Sequence, residues 1–150
     1  MALQRQLIVD NVITTLRGIT IENGYSLDVQ KVMEIPTSAF EITEFPTLMV
    51  ADIGEDDAEG QSGALTICLL HLLIPFWSNQ WTDVGAGARD IASSIKKILA
   101  VDRKRGGLAY HTLILGDELY VSGDLLPYGG GSVRVDIYYR HMMGDPYTQG

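Results

Sequence analysis

Residues 64–76 constrain this chain more than any other stretch. A strand sends successive side chains to opposite faces. Here Leu65, Ile67, Leu69 and Leu73 fall on one face, and Ala64, Cys68, Leu70, Leu72 and Ile74 fall on the other. Apolar residues on both faces predict a strand covered on both. At ~3.3 Å per residue it spans roughly 40 Å, about twice a usual strand. A chain of 150 residues that holds so long a strand is expected to need covering from outside the monomer.

The segments around it supply the rest of the domain. Ile8, Val9, Val12, Leu16 and Ile19 recur at helical spacing, so the first segment reads as a helix ending at Gly18 or Gly24. Residues 28–35 read as a strand stopped by Pro36, and residues 37–44 as a loop. A second strand, 47–51, follows Pro46. Residues 52–63 read as an acidic, glycine-bearing connection too poor in apolar groups to order itself. After the long strand, Val84, Ala88, Ile91, Ile95, Ile98 and Leu99 mark a second helix. Thr82 or Asp83 would cap its start, and Lys96, Lys97, Arg103, Lys104 and Arg105 crowd its end before Gly106 and Gly107. Residues 110–115 and 118–122 read as strands, with Gly116-Asp117 as a hairpin loop or a bulge in one longer strand. Gly129 to Gly131 read as a turn. Val133, Val135, Ile137 and Tyr139 alternate with polar groups as a one-faced strand. Residues 141–150 lack periodicity and read as a flexible C-terminal tail.

The order is therefore a helix, three consecutive strands, a helix, and two or three further strands. The expectation is one domain, residues 1–150, of α+β class: a mainly antiparallel sheet flanked by two helices in the order α-β-β-β-α-β-β. A chain of this length buries roughly 68–70% of its unfolded surface, so it needs neither disulfides nor a structural metal. Cys68 is the single cysteine, which excludes an intrachain disulfide. Gln4, Arg5, Gln6 and Asp10 interrupt any opening signal-like run, and the apolar stretch 65–77 is shorter than the ~20 residues of a spanning helix. Synthesis in the cytoplasm is the expectation. A net charge of −8 disfavours tight contact with nucleic acid or anionic lipid.

Chemistry-bearing patterns are sparse. His71, His111 and His141 are far apart and lack short-range ligand spacing. His71 is expected to be a hydrogen-bonded core or interface residue, and His111 and His141 to face solvent. Cys68 between Ile67 and Leu69 reads as a small buried hydrophobe. Asp52, Glu55, Asp56, Asp57 and Glu59 lack the spacing of a calcium loop and read as a solvated segment, or as an acidic loop facing a channel or partner. Gly85-Ala-Gly87 and the triglycine lack the context of a phosphate cradle. Glu41 with Glu44, and Asp117 with Glu118, are pairs that any acidic chain supplies. No catalytic residue, cofactor or metal is expected, and the chain reads as a non-enzyme.

Four features in order carry a family resemblance. An amphipathic opening helix leads into Asn23-Gly-Tyr25 and Asp28-Val-x-x-Val32. Phe45-Pro-Thr-Leu-Met-Val-Ala-Asp52 runs into an acidic Gly54-Glu55 stretch. A long apolar strand precedes a helix. Tyr139-Arg140 is followed by Gly144-Asp-Pro-Tyr147. In these the chain resembles the tail terminator (tail completion) proteins of long-tailed bacteriophages. The resemblance implies a structural subunit of a homohexameric ring, made in the host cytoplasm and placed at the head-proximal end of the virion tail. Its partners would be copies of itself, the tail tube protein and the head-tail connector protein, with DNA only as passing cargo and no membrane. Met142, Met143 and Tyr147 would form a partner-docking tail. Another connector or stopper ring, or a small ligand-binding α+β domain, are the alternatives.

Overall fold

The computed structural model describes residues 3–36, 41–60, 63–79, 84–121 and 129–150. Helix α1 (Gln4–Leu16) buries the ridge Ile8, Val9, Val12 and Leu16. It closes in tight turns, with the Gly18 amide on the Thr15 carbonyl and the Ile19 amide on the Leu16 carbonyl. Ile19 then folds back into the core. A Cβ on Gly18 would lie 3.1 Å from Ile98, so glycine lets this turn pack tightly against the second helix.

Strand β1 (Lys31–Glu34) pairs in parallel with the start of β2 (Thr47–Glu59). All other pairings are antiparallel. Strand β3 (Leu65–Ser78) lies between β2 and β5 (Gly129–Met142). Helix α2 (Val84–Val101) and a short 3-10 turn (Arg105–Gly107) lead to β4 (His111–Val121). Strand β6 (Asp145–Gln149) adds to β5 beyond β4, giving the order β1-β2-β3-β5-β4. The domain is α+β, as the consecutive strands imply. The expected caps Thr82 and Asp83, residues 37–40 of the expected loop, and Ser122 lie outside the described residues.

Three expectations are corrected, for one reason. Residues 52–59 are the second half of β2, not an unordered connection. Gly129 to Gly131 open β5, not a turn. His141 and Met142 finish β5, and residues 145–149 form β6, in place of a flexible tail. A 14-residue strand leaves backbone groups on both edges that need partners along its whole length. That demand recruits acidic and glycine-rich backbone whose side chains give no strand signal. The triglycine fits closely: a Cβ on Gly130 would meet the Phe76 carbonyl at 2.5 Å, and one on Gly131 would clash with the Glu118 carbonyl. The ambiguous Gly116 is a bulge in one strand, where its φ of 145° suits glycine.

Both helices lie on one side of the sheet. Cys68, Leu70, Leu72, Ile74 and Phe76 of β3 join Val133, Val135, Ile137 and Tyr139 of β5 in the core beneath them. From α2 the core takes Ala88, Ile91, Ile95 and Leu99. Ile95 is fully buried, so Ile95→Ala is expected to cost ~2–5 kcal/mol in chemical denaturation. Ile67→Ala, on the opposite side of the sheet, is expected to cost under ~1 kcal/mol.

Candidate functional site

The side of the sheet away from the helices is open. Strand alternation delivers Leu65, Ile67, Leu69, His71, Leu73, Pro75 and Trp77 to it, all partly exposed. Their neighbours across β5 are Met142, Arg140, Tyr138, Asp136, Arg134, Ser132 and Gly130. Strand β4 adds His111, Leu113, Glu118 and Tyr120 on the same side. Both faces of β3 were expected under cover, in part from outside the monomer; within the monomer the helices cover one of them. Near the triglycine this side sinks into a shallow groove of about 630 Å³, walled by Leu73, Pro75, Trp77 and Tyr120 over Gly130 and Ser132. It is open because glycine leaves the floor bare.

A polar cluster interrupts the apolar surface. His71 Nδ1 lies 2.7 Å from Asp136 and Nε2 lies 2.9 Å from Asp56. His71 is therefore hydrogen-bonded, as expected, but on the open side. The bonds to Asp136 and Asp56 favour the imidazolium and raise its pKa above the ordinary value. His111 is exposed, also as expected. His141 is buried, a correction: near the end of β5 it pairs with Gln149 of β6, and its Nδ1 donates to the Met142 carbonyl at 2.8 Å.

The acidic segment divides by alternation. Asp56 faces the open side. Asp52, Glu55, Asp57 and Glu59 share the helix side with Leu72, Leu70, Cys68 and Thr66. Arg5 of α1 reaches Asp52 at 2.6 Å and Glu55 at 3.4 Å, and the Tyr139 hydroxyl donates to Glu55 at 2.7 Å. Two of the five carboxylates therefore anchor α1 and β5 to β2, a structural demand that a loop reading could not foresee. Burial pushes the Asp52 carboxyl up, but hydrogen bonds from Arg5 and the Gly54 amide outweigh it and leave it below its ordinary value. Glu55, Asp57 and Cys68 bring their ligand atoms within 4.8 Å of one another. Burial, with Asp57 next, pushes the thiol up to about 12, so it stays protonated and is a poor cation ligand. Cys68 is fully buried, as its neighbours implied.

The expected docking residues sit around β6. Met142 faces Leu65 on the open side, Met143 occupies the following turn, and the Tyr147 carbonyl accepts from Gln4 Nε2 at 3.0 Å. All three are 40–45% exposed.

The sheet also has two unpaired edges. Strand β1 covers the outer edge of β2 only at Thr47 to Val50, and among the described residues no strand pairs with that outer edge from Asp52 to Glu59, where β2 pairs with β3 alone. Among the described residues the outer edge of β4 is likewise without a partner strand. These geometries define an α+β domain whose sheet, among the described residues, is layered by helices on one side only. No protein-family model matches the chain, and comparison with curated proteins finds no relative. Among the described residues no helix is long and apolar enough to cross a membrane.

Two pH responses follow. The lowered Asp52 pKa contributes stability that is present above about pH 4 and lost as pH falls through the folded value. Arg5→Ala should flatten that acid limb in thermal melts from pH 2 to 6. The raised His71 pKa contributes stability that is complete below about pH 6.5 and lost as pH rises through the folded value. His71→Gln should erase the fall in thermal midpoint between pH 6 and 8.5.

Proposed function

We propose that this chain is a structural ring subunit of a long-tailed bacteriophage, a homohexamer that caps the tail tube, joins it to the head-side connector and leaves a channel for DNA. The observation that carries the reading is the open side of the sheet. Ile67, Leu113, Tyr120, Tyr138 and Met142 are each more than a third exposed there, along strands that run the length of the domain. Apolar surface of that extent on a small chain marks a place that assembly covers.

Charge supports the same reading. Six copies at −8 carry −48 formally. Screening over ~8 Å at physiological salt leaves only channel-facing groups to act on DNA. With Asp52 and Glu55 engaged by Arg5, the remaining carboxylates of the segment that could line a channel are Asp56 beside His71, Asp57 beside Cys68, and Glu59. They would repel the DNA backbone and let it pass. The groove between Trp77 and Tyr120 favours a second reading, a small ligand-binding domain, which would be monomeric or dimeric in solution.

Negative-stain imaging of the purified protein mixed with assembled tail tubes tests the proposal. Sixfold rings at one end of each tube are the expected result. A chain that stays monomeric alone and leaves tube ends bare would overturn it.

A further inference from the structure

The open side of the sheet has a centre about which it is complementary to itself. Strand β5 sends Gly130, Ser132, Arg134, Asp136, Tyr138 and Arg140 to that side. Counted from Val135, Arg134 and Asp136 stand one residue to either side, Ser132 and Tyr138 three, and Gly130 and Arg140 five. The members of each pair are unlike: cation and anion, then small and large twice. Strand β4 repeats the pattern. Its register sets Gly116 level with Arg134 and Leu113 level with Asp136. The groove over Gly130 and Ser132 therefore lies as far from the centre as the projecting Tyr138 and Arg140.

A two-fold axis between two facing copies uses that pattern. It crosses the strands at right angles, level with Val135 of β5 and Leu72 of β3. Each strand then lies over the same strand of the second copy and runs the opposite way. Arg134 of each copy stands over Asp136 of the other, Leu113 over the bare backbone of Gly116, and Tyr138 over the groove at Ser132. On β3 the Trp77 end meets the Ile67 end. Facing sheets cross at about 30°, so the central pairs stay aligned while the outer ones shift by about one to two strands. The groove absorbs that shift, since it reaches across three strands from Trp77 to Tyr120. At the β1 corner residues 41–43 stand beside Thr47 and Met49, with Lys31 and Glu41 both present. The axis sets that corner over the Asp56 to Ala58 end of β2, where Ala58 is small.

Charge and area both suit a second copy. The chain carries −8, yet the charges that alternation delivers to the open side of β2 to β5 balance. Asp56, Glu118 and Asp136 meet Arg134, Arg140 and His71, whose two ring nitrogens each lie against a carboxylate and so both carry protons. Among the described residues Arg134 is exposed and has no carboxylate within ion-pair distance. A second copy supplies one. Strands of 11 to 14 residues, at ~3.3 Å per residue and ~4.8 Å apart, make this side roughly 40 by 19 Å, about 760 Å². Each partner of a standard interface buries ~800 Å².

We infer that the free protein is a two-fold dimer whose open sheet sides face each other about Val135, with Arg134 of each copy paired to Asp136 of the other. The inference goes beyond the ring reading and does not need it. A two-fold pair is closed, so it is the form of the protein before assembly, and a tube end would compete with the second copy for the same side.

Charge exchange tests it in sedimentation velocity on the full chain. The parent should be a dimer in reversible equilibrium with its monomer. Arg134→Asp sets carboxylate over carboxylate, and Asp136→Arg sets guanidinium over guanidinium. Each alone should dimerise at least about tenfold more weakly. Mixed in equal amounts they restore both pairs, so a heterodimer should form with close to the parent's affinity. Asp136 also holds His71, so the fold of its variant is checked by circular dichroism. Tyr138→Asp, at an exposed position, gives a second readout: a monomer with the parent's thermal midpoint. A parent that is monomeric, or that forms sixfold rings unaffected by Arg134→Asp, overturns the pairing and leaves the ring reading to the tube experiment. A mixture of folded variants without heterodimer also overturns it. If Asp136→Arg unfolds, Tyr138→Asp decides, and dimerisation equal to the parent's overturns the pairing. A dimer that behaves as expected while tube ends stay bare leaves the pairing standing and removes the ring reading.

Discussion

The two hydrogen-bonded ladders of β3 hold this domain together. Strand β3 pairs with β5 from Leu65 to Ser78 without a break and with β2 over nearly the same length. A buried strand cannot leave its amides and carbonyls unpaired, because each orphan costs about 1–3 kcal/mol. The neighbours must therefore be as long as β3 is. That requirement draws Asp52 to Glu59 and the triglycine into strands, and it places β1 and β4 at the outer positions of the sheet.

The one-sided layering follows from supply. Two helices are available, and α1 and α2 together cover one side of a sheet whose central strands run 14 residues. The other side keeps apolar groups in water, tempered by Asp56, His71 and Asp136 in its middle. An acidic charge on the free edge of β2 limits indiscriminate strand pairing. The same carboxylates reach inward as well: Asp52 and Glu55 bind Arg5, and Glu55 accepts from Tyr139. One segment thus serves the cohesion of the monomer through two residues and presents charge outward through the rest.

Side-chain periodicity made the two helices, the long strand and the α+β class legible. Ile91 and Ile95 were readable as core because helical spacing puts them on one stripe, and both are buried. Cys68 was readable from its apolar neighbours. Segments that owe their structure to a partner's backbone were not readable. Asp52 to Glu59, Gly129 to Gly131 and Asp145 to Gln149 carry few apolar side chains and pair only because β3 or β5 lies beside them. The Asp56–His71–Asp136 cluster was also out of reach. Its members lie 15 and 65 residues from His71 in the chain, and register alone brings them together.

By itself the sequence determined what is local: which stretches are helical, which strand is too long and too apolar to stand alone, and that the chain is acidic. Local patterns encode these because they depend on neighbours one to four residues away. Only the tertiary structure decided which side of the sheet stays open, which carboxylates are tied down, and where the two free edges lie. These depend on strand register, where a slip of one residue sends every side chain to the other face. Register is set by the pairing of distant segments, which no local pattern in the chain encodes.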